Sequence, residues 1–506
     1  MLEYITRVKN KLVMGVIIVN TFLTDLKKQS SFVTTQKGAI AYNTTQDAIL
    51  DLFSVGGALR TASEEDIIQL FERAYAENPL LAMKCLFYIR DIEKGQGERR
   101  VFRVIINYLG NSRPELLRPN LQLVHEYGRY DDLVSLVDTK VKDDVIKIIE
   151  NQLNKDILSE HPSLLAKWLP SPKTSSVITR SYACKIRKEL GLSERGYRKM
   201  LSYLRGQIQV TEKIISAKRW DLLDLEKLTA NNYMKYQQTF ERNIPDRWHE
   251  YIEKVVDGTA KTKSSTLYPY NIVNRVKYAD GHNSELCNEQ WKSLPDYSEG
   301  KLDSVLCMVD VSPSMNIIVS EGVTAMDVAM SLGLYVSERV AGPFNNHYIT
   351  FSENPTIEQV KGKNLKDKVA HMKNASWGMT TNIEKAFMLI LNTAIRVNAS
   401  QEDIPKRLII ISDMQFDSAM GGNLPTETLY DTIKSKYQYH GYELPTVVFW
   451  NVRGNKKTFQ VDKDSSNVLL CSGCSPSILK DVLNCGSPMD LVINTLNSPR
   501  YEKVTI

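Results

Sequence analysis

The chain has 506 residues, of which 42% are hydrophobic and 24% are charged. One hydrophobic core rarely serves this length, so two or three domains are expected in a globular protein of ordinary composition. No apolar run is long enough to span a bilayer, which argues against a membrane partner. The net charge of +5 is too small to identify a nucleic-acid-binding protein by itself.

The cysteines and the N-terminus bear on the compartment. Seven cysteines are scattered along the chain, and an odd number without zinc-site spacing argues for reduced thiols and a cytoplasmic protein. Residues 1–19 place basic residues before a short apolar run but lack a small-residue cleavage site. We therefore expect a helix or a disordered extension there rather than a signal peptide.

Residues 20–255 are predicted to be helical. Apolar residues recur at three- and four-residue spacing in successive stretches, separated by short breaks such as Asn-Pro, Gly-Gln-Gly and Ser-Arg-Pro. Helical hairpins of this kind usually stack as a HEAT-like array, because no single hairpin buries its own apolar face. Residues 256–301 are polar and rich in turn formers, and are predicted to be a linker or closing segment.

A different pattern begins at residue 302 and continues to residue 506. Buried-strand patterns such as SVLCMVDVS, NHYITFS, RLIIISD and PTVVFWNV alternate with amphipathic helical patterns. This alternation predicts a doubly wound parallel sheet of the Rossmann-like kind. Such sheets bind ligands beyond the carboxyl ends of their strands, which is where Asp310 lies.

Two carboxylates and three hydroxyls are expected at this edge of the sheet. The first strand ends in Asp310-x-Ser312-x-Ser314, the loop WGMTTN offers Thr380 or, as preferred, Thr381, and a later strand ends in Asp413. Oxygen ligands of this kind suit Mg²⁺ or Mn²⁺. The alternative for the DxSxS stretch alone is capping of the next helix.

A phosphohydrolase of the haloacid dehalogenase type is the remote alternative for the same residues. Such an enzyme also has an aspartate after its first strand, and Asp413-x-x-x-Asp417 mimics its late acidic pair. Its chemistry requires a second carboxylate two residues after the first, as general acid. The chain has Ser312 at that position, so a non-catalytic protein is expected.

The positive charge is concentrated in one part of the helical region. Residues 151–220 contain 14 Lys and Arg against 5 Asp and Glu, which indicates a surface for a polyanion, although a solvated charged face remains the alternative. Upstream, the Gly-Gln-Gly turn of GQGERR opens a helix whose backbone N–H groups could meet a phosphate. The basic residues of these stretches, which are the candidate contacts for a polyanion, are Lys185, Arg187, Lys188, Arg195, Arg198, Lys199, Arg99 and Arg100.

The acidic and hydroxyl residues resemble the metal-ion-dependent adhesion site (MIDAS) of von Willebrand factor A domains. This resemblance rests on Asp310, Ser312, Ser314, Thr381 and Asp413. It implies a doubly wound fold that holds Mg²⁺ at its top and uses the ion for binding rather than catalysis.

The whole chain resembles the TROVE-domain proteins, to which the Ro autoantigens belong, and most closely an uncharacterised TROVE-like family. The blocks that carry this resemblance are AIAYNTTQDAILDLF, FYIRDIEKGQGERR, KWLPSPKTSSVITR, CKIRKELGLSERGYRKMLSYLR and STLYPYNIV. The resemblance implies a ring of helical repeats closed by the A domain. It also implies a ribonucleoprotein that binds small structured RNAs, or misfolded RNAs with single-stranded ends.

Two functions from different classes follow. The first is a non-catalytic RNA-binding protein, with a possible protein partner or nuclease on the A domain. The second is a Mg²⁺-dependent protein-binding scaffold that does not bind RNA.

Overall fold

The computed structural model describes residues 30–320, 322–350, 354–375, 382–417, 428–454 and 458–506. The predicted extension of residues 1–19 lies outside these ranges. In the ranges given, no helix has both the length and the apolar character that crossing a bilayer requires.

The predicted helical character of the first half is confirmed. Its helices are α1 (Ala48–Gly56), α2 (Glu64–Glu77), α3 (Pro79–Arg90), α4 (Arg99–Ser112), α5 (Pro114–Leu117), α6 (Leu121–Tyr127), α7 (Tyr130–Val134), α8 (Lys142–Leu158), α9 (Leu165–Trp168), α10 (Val177–Glu189), α11 (Glu194–Gln207), α12 (Thr211–Ser216), α13 (Ala230–Asn243), α14 (Pro245–Val256), α15 (Pro269–Val276) and α16 (Gly281–Lys292). Neighbouring helices pack against one another from α1 to α4.

Helix α4 shows why these segments fold as they do. The Glu98 carboxylate caps the helix by accepting a hydrogen bond from the backbone N–H of Arg100. This N–H group lies in the first turn, where the helix itself provides no acceptor for it. Phe102, Ile105 and Leu109 follow at helical spacing and are buried. Burial of a large apolar side chain contributes about 1.5–3 kcal/mol, so tertiary packing holds this helix more than its propensity does.

A short hairpin precedes α1, in a part of the chain that the sequence assigned to helices. Strands β1 (Phe32–Thr34) and β2 (Ile40–Tyr42) pair antiparallel. Strands of three residues are too short for alternation of apolar and polar residues to stand out in the sequence. The hairpin matters because its residues contact the loops around Asp413.

The second half contains a six-stranded sheet in the order β10-β9-β8-β3-β6-β7. The strands of the second half are β3 (Val305–Val309), β4 (Ile318–Ser320), β5 (Val323–Thr324), β6 (His347–Thr350), β7 (Ile357–Gln359), β8 (Arg407–Ser412), β9 (Thr446–Asn451) and β10 (Val468–Ser472). The sheet is parallel except where β7 pairs antiparallel with β6 at the edge, and β4 and β5 form a separate hairpin. The expected mostly parallel sheet is confirmed, and its strand order is that of doubly wound folds.

Helices alternate with these strands as the sequence predicts. They are α17 (Ala325–Ser337), α18 (Leu365–Lys373), α19 (Ile383–Val397), α20 (Leu429–Tyr439), α21 (Leu479–Asn484) and α22 (Pro488–Leu496).

The register of β3 and β8 determines where the candidate metal ligands lie. The two strands run parallel, with Val309 opposite Ile411. The Asp310 N–H donates to the Ile411 carbonyl at 3.0 Å and so extends the pairing by one residue. Asp310 and Asp413 therefore leave the sheet at the same edge.

The prediction of a linker over residues 256–301 is wrong. This segment contains α15 and α16, which are 8 and 12 residues long. Helix α15 packs on α17 beside the sheet, and its Ile272, Val273 and Val276 are buried. Helices this short gain their stability from tertiary contacts rather than from a strong sequence pattern, which is why the polar composition suggested a linker.

The helical region and the sheet share one hydrophobic core. At the start of the helical region, α1 packs on β10 and α3 packs on α22. The backbones of Tyr42 and Phe459 exchange two hydrogen bonds, at 2.7 and 2.8 Å, and the Gly454 N–H donates to the Ala58 carbonyl at 3.0 Å. A second, smaller core around Trp248 holds α13 and α14 together.

A buried carboxylate fixes the end of the chain to α3. The Asp91 side chain is 0% exposed. Arg500 donates to both of its oxygens, at 2.8 and 2.9 Å, and the Tyr501 hydroxyl donates at 3.1 Å. The C-terminal segment is thereby held against the first helices of the chain.

We expect Arg500→Ala to lower the free energy of unfolding by about 2–4 kcal/mol, because it leaves a buried carboxylate without its cation. Urea unfolding at pH 7 measures this loss. Lys503→Ala is the matched control, since Lys503 lies in the same segment and pairs with the half-exposed Glu126 at 3.4 Å. The control should change stability by less than about 0.5 kcal/mol, and equal losses in both variants would contradict the assignment.

Candidate nucleic-acid interface and metal centre

Four of the five predicted metal ligands lie together at the carboxyl ends of β3 and β8. The Ser312 N–H donates to Oδ1 of Asp310 at 2.9 Å, and the hydroxyls of Ser312 and Ser314 are 2.9 Å apart. Asp413 follows β8 directly and is close enough to act on the pKa of Asp310. Thr381 lies outside the described residues.

Ser412 belongs to this site although the sequence did not single it out. Its hydroxyl donates to Oδ2 of Asp310 at 2.6 Å and accepts from the Met414 N–H at 3.0 Å. Ser412 is the last residue of β8, and β8 is the neighbour of β3. The strand order would therefore have pointed to it, whereas a motif search does not.

The electrostatics of the site favour a bound cation. Burial and the nearby Asp413 carboxylate raise the pKa of Asp310 to about 6, although the hydrogen bonds from Ser412 and Ser312 lower it. Two buried carboxyl groups therefore lie near each other with little solvent to screen them. A divalent cation between them would remove this repulsion.

The donor set fits Mg²⁺ or Mn²⁺ rather than a softer metal. In the part of the chain that the structure describes, no three His, Cys, Asp or Glu side chains form a metal-binding group. A cation here would use two carboxylates and the hydroxyls of Ser312 and Ser314. Oxygen-only ligands of this kind are those of hard cations.

A large basic cavity is lined almost entirely by the helical region and the segment that follows it. Its volume is about 1970 Å³, and its walls come from α3, α4, α9, α11, α12, α13 and α15 and the loops between them, with Ser320 and Ser475 from the second half. The lining has thirteen lysines and arginines against four glutamates. The basic residues are Arg60, Arg90, Arg99, Arg100, Arg129, Lys167, Lys173, Arg195, Arg198, Lys199, Arg205, Lys213 and Lys235.

Five of the eight predicted RNA contacts line this cavity, and α11 contributes three of them. Arg195, Arg198 and Lys199 are exposed on one face of the helix, while Tyr197 on the other face is buried. Ser193 caps the start of this helix, since its hydroxyl accepts from the Gly196 N–H at 3.0 Å. The helix therefore aims three cations into the cavity at i, i+3 and i+4 spacing.

Arg99 and Arg100 supply the other two predicted contacts, in different ways. Partial burial and the neighbouring guanidinium groups of Arg103 and Arg129 lower the pKa of Arg99, a crowding of like charges that an anion would relieve. Arg100 instead donates to the carbonyl of Ala62 at 2.8 Å. Arg99 is thus the better candidate for a phosphate contact.

Several basic residues that line the cavity were not predicted from the sequence, and their side chains contact acidic or carbonyl groups of the protein itself. Arg60 pairs with Glu98, and the buried Arg90 pairs with Asp132 at 2.7 Å. Arg205 donates to the carbonyls of Ala166 and Leu169. These partners lie far away in sequence, so neither the convergence on one cavity nor the pairing is visible in a linear reading.

Aromatic side chains also line the cavity. The guanidinium carbon of Arg129 lies 4.1 Å from the ring centre of Trp168, which is partly exposed. The rings of Tyr268 and Tyr270 stack at 5.5 Å. Flat surfaces of this kind can stack with nucleic-acid bases.

Lys185, Arg187 and Lys188 do not line the cavity. Lys185 forms an ion pair with Asp138, and Lys188 is exposed. Arg187 donates to the Leu192 carbonyl at 2.9 Å and so closes the turn after α10. Arg187 therefore has a structural role within the helical region.

The Gly-Gln-Gly turn before α4 has no N–H group of its own to offer to a phosphate. The N–H groups of residues 95–98 all donate to carbonyls at the end of α3, at 2.8–3.2 Å. The turn therefore satisfies the last carbonyls of that helix. Gly97 has φ +66°, and a Cβ there would lie 2.0 Å from the Tyr268 hydroxyl, so close packing explains this glycine.

Two family models match the chain. The model described as Domain of unknown function (DUF2828) matches residues 35–161 and 130–298, which together make up more than half of the chain. The chain belongs to the DUF2828 family. A second model, described as Domain of unknown function (DUF7788), matches residues 304–499, the part that contains the six-stranded sheet.

Two further proteins are similar to this DUF2828 protein. An uncharacterized protein of Acanthamoeba polyphaga mimivirus is 29% identical, over 91% of this chain and 86% of the viral protein. The crystal structure of the Ro (RSR) protein of Deinococcus radiodurans aligns with 89% of this chain and 93% of that chain, with a TM-score of 0.37 and 13% identity.

We expect Asp310→Asn to stabilise the metal-free DUF2828 protein at pH 8 by about 1–3 kcal/mol, because a buried carboxylate is replaced by a neutral amide. The folded wild type holds its Asp310 proton more tightly than the unfolded chain does. Its stability relative to the variant should therefore fall as the pH rises from 3.8 to about 6, and then stay level. Urea unfolding in EDTA between pH 4 and pH 8 measures the difference.

The control for this variant is Asp143→Asn, whose side chain is 92% exposed and which should show no such pH dependence. Added Mg²⁺ should stabilise the wild type and not Asp310→Asn. A stability difference between wild type and Asp310→Asn that is the same at pH 4 and pH 8 would contradict the buried-charge account.

Proposed function

We propose that this protein binds RNA in the basic cavity and does not catalyse a reaction on it. The observation that carries the proposal is the excess of thirteen lysines and arginines over four glutamates in the lining. A concave wall with a large excess of positive charge concentrates the electrostatic potential and attracts a polyanion.

The size of the cavity favours a polymer over a small ligand. Sites for small molecules and cofactors usually measure about 300–1,000 Å³, and this cavity measures about 1970 Å³. Its cations are spread over helices that lie far apart in sequence. Contacts distributed in this way suit a chain of phosphates rather than one anion.

Single-stranded RNA, including the single-stranded ends of structured or misfolded RNAs, is the form that we propose enters the cavity. Trp168 and Tyr268 offer flat faces beside the cations, and stacking with unpaired bases requires such faces. Phosphate contacts and stacking read little sequence, so we expect weak sequence preference. The resemblance to TROVE-domain proteins points to the same class of ligand.

We further propose that the helical region is a HEAT-like array that a von Willebrand factor A-type domain closes into a ring. The support is that both ends of the helical region contact the second half of the chain: α1 packs on β10, and α15 packs on α17. A strand in the cavity would then be enclosed by both parts.

The metal centre has a separate proposed role. We propose that Asp310, Ser312, Ser314 and Asp413, with Thr381, bind Mg²⁺ or Mn²⁺. Two carboxylates leave the cation able to accept a further acidic oxygen. This favours a second function, in which a partner protein or nuclease binds through its own carboxylate.

The first experiment is binding of a labelled single-stranded RNA across a salt series. The triple variant Arg195→Ala/Arg198→Ala/Lys199→Ala should bind about 10- to 100-fold more weakly at 0.1 M salt, because up to three phosphate contacts are lost. The slope of log K against log salt is negative, and its magnitude should decrease by about 2 in the variant. Fluorescence anisotropy measures both quantities.

The matched control removes the same charge elsewhere. Lys140, Lys147 and Lys155 are exposed and lie outside the lining of the cavity, so their triple alanine variant should keep the affinity. Lys185→Ala/Lys188→Ala separately tests two predicted contacts that lie outside the cavity. No binding by the wild type at low salt would overturn the RNA proposal, and Asp310-dependent capture of a protein partner would then favour the scaffold.

A further inference from the structure

Arg453 places a fixed positive charge beside the proposed metal ligands. Its Nη1 donates to the Ser314 carbonyl at 2.9 Å and lies 3.4 Å from Oδ2 of Asp413. The Asp413 side chain is 1% exposed and the Arg453 side chain 20%. The guanidinium therefore bridges the loops that follow β3 and β8.

The backbone around Arg453 is held on both sides. The Arg453 N–H donates to the Asn451 side chain at 2.9 Å. The Val452 N–H donates to the Ser412 carbonyl at 3.1 Å, and the Gly454 N–H donates to Ala58 in the helical region at 3.0 Å. These bonds fix the start of the side chain, so the guanidinium is directed at the site before any ligand arrives.

The charge of Arg453 acts in opposite directions in the two states of the site. Without a metal, the guanidinium offsets part of the repulsion between Asp310 and Asp413. With Mg²⁺ bound to the same carboxylates, two cations lie close together in a poorly screened environment. The same residue therefore stabilises the metal-free site and opposes the metal.

We propose that Arg453 is the positioning residue that sets the cation affinity of the metal centre: it holds Asp413 in the metal-free protein and weakens the binding of Mg²⁺ and Mn²⁺. This inference rests on the proposed metal centre. Its consequence is a site that releases its cation readily and fills only when the free ion is abundant or when an acidic partner adds a further ligand.

A purely structural role for Arg453 predicts a different outcome. If the bridge only kept the two loops in place, its loss would disorder the ligands and weaken metal binding. Arg453→Lys distinguishes these two roles, because lysine keeps the charge but not the planar group that bridges Ser314 and Asp413. A structural role predicts weaker metal binding by this variant, whereas a role of the charge predicts binding close to that of the wild type.

The test is Mn²⁺ binding to the full chain, followed by electron paramagnetic resonance of the free ion. We expect Arg453→Gln to bind Mn²⁺ about tenfold more tightly than the wild type, because a nearby positive charge has been removed. Arg453→Lys should stay close to the wild type. Arg396→Gln, an equal change of charge at an exposed position on α19, is the matched control and should have no effect.

Unfolding measurements provide the second readout. In EDTA, Arg453→Gln should be less stable than the wild type, and saturating Mn²⁺ should stabilise it by more than it stabilises the wild type. Unchanged or weaker Mn²⁺ binding by folded Arg453→Gln would overturn the inference while leaving the metal centre in place. If Arg453→Gln does not fold, weaker Mn²⁺ binding by Arg453→Lys overturns it.

A different result is expected if the proposed site does not bind a metal at all. Wild type, Asp310→Asn and Arg453→Gln would then bind equally little Mn²⁺, and the inference would fall with the centre. Binding by Arg453→Gln alone would support the inference in its strongest form, with the arginine excluding the ion from the wild-type site.

Discussion

The docking of the helical region onto the edge of the sheet is the contact on which both candidate sites depend. Asp91, buried beneath Arg500 and Tyr501, fixes the C-terminal segment against α3. On the other side of this junction, the Gln36 N–H donates to the side chain of Gln415, and the Gln415 N–H donates to Asp413. Loss of the docking would remove Ser475 from the wall of the cavity and release the loop that carries a proposed metal ligand. The two sites are therefore parts of one assembly rather than independent modules.

The cavity is positively charged and the proposed metal centre is negatively charged, and the two differ in how many charged groups they contain. The cavity gathers cations from elements that are separate in sequence, and several of them, such as Arg60 and Arg90, are neutralised by buried acids. The metal centre gathers only two carboxylates, and Arg453 offsets one of them. In both places an internal partner reduces the charge that an external ligand meets. What is left for a ligand is the set of charged groups that the fold does not pair.

The sequence predicted the sheet well because its signal is local. Each strand of the doubly wound core is a short apolar run between turns, and Asp310 and Asp413 follow two such runs directly. Strand order then brings them together without further information. The hairpin of β1 and β2, and helices α15 and α16, were not predicted. The hairpin depends on contacts with residues hundreds of positions away, such as the pairing of Tyr42 with Phe459, and α15 depends on its packing against α17. A local pattern does not contain that information.

The basic residues also show what the sequence alone does not predict, namely which of them already have an acidic partner in the folded protein. A count of charges along the chain gives Lys185 and Arg198 equal weight, since both stand in basic helices. The fold separates them: Lys185 pairs with Asp138, and Arg198 lines the cavity. A cation that already has an anionic partner must lose that contact before it gains a phosphate, so its net contribution to binding is small. Charge clustering in sequence therefore indicates the region proposed to bind a polyanion, whereas the candidate contacts within it follow from which cations line the cavity without an anionic partner.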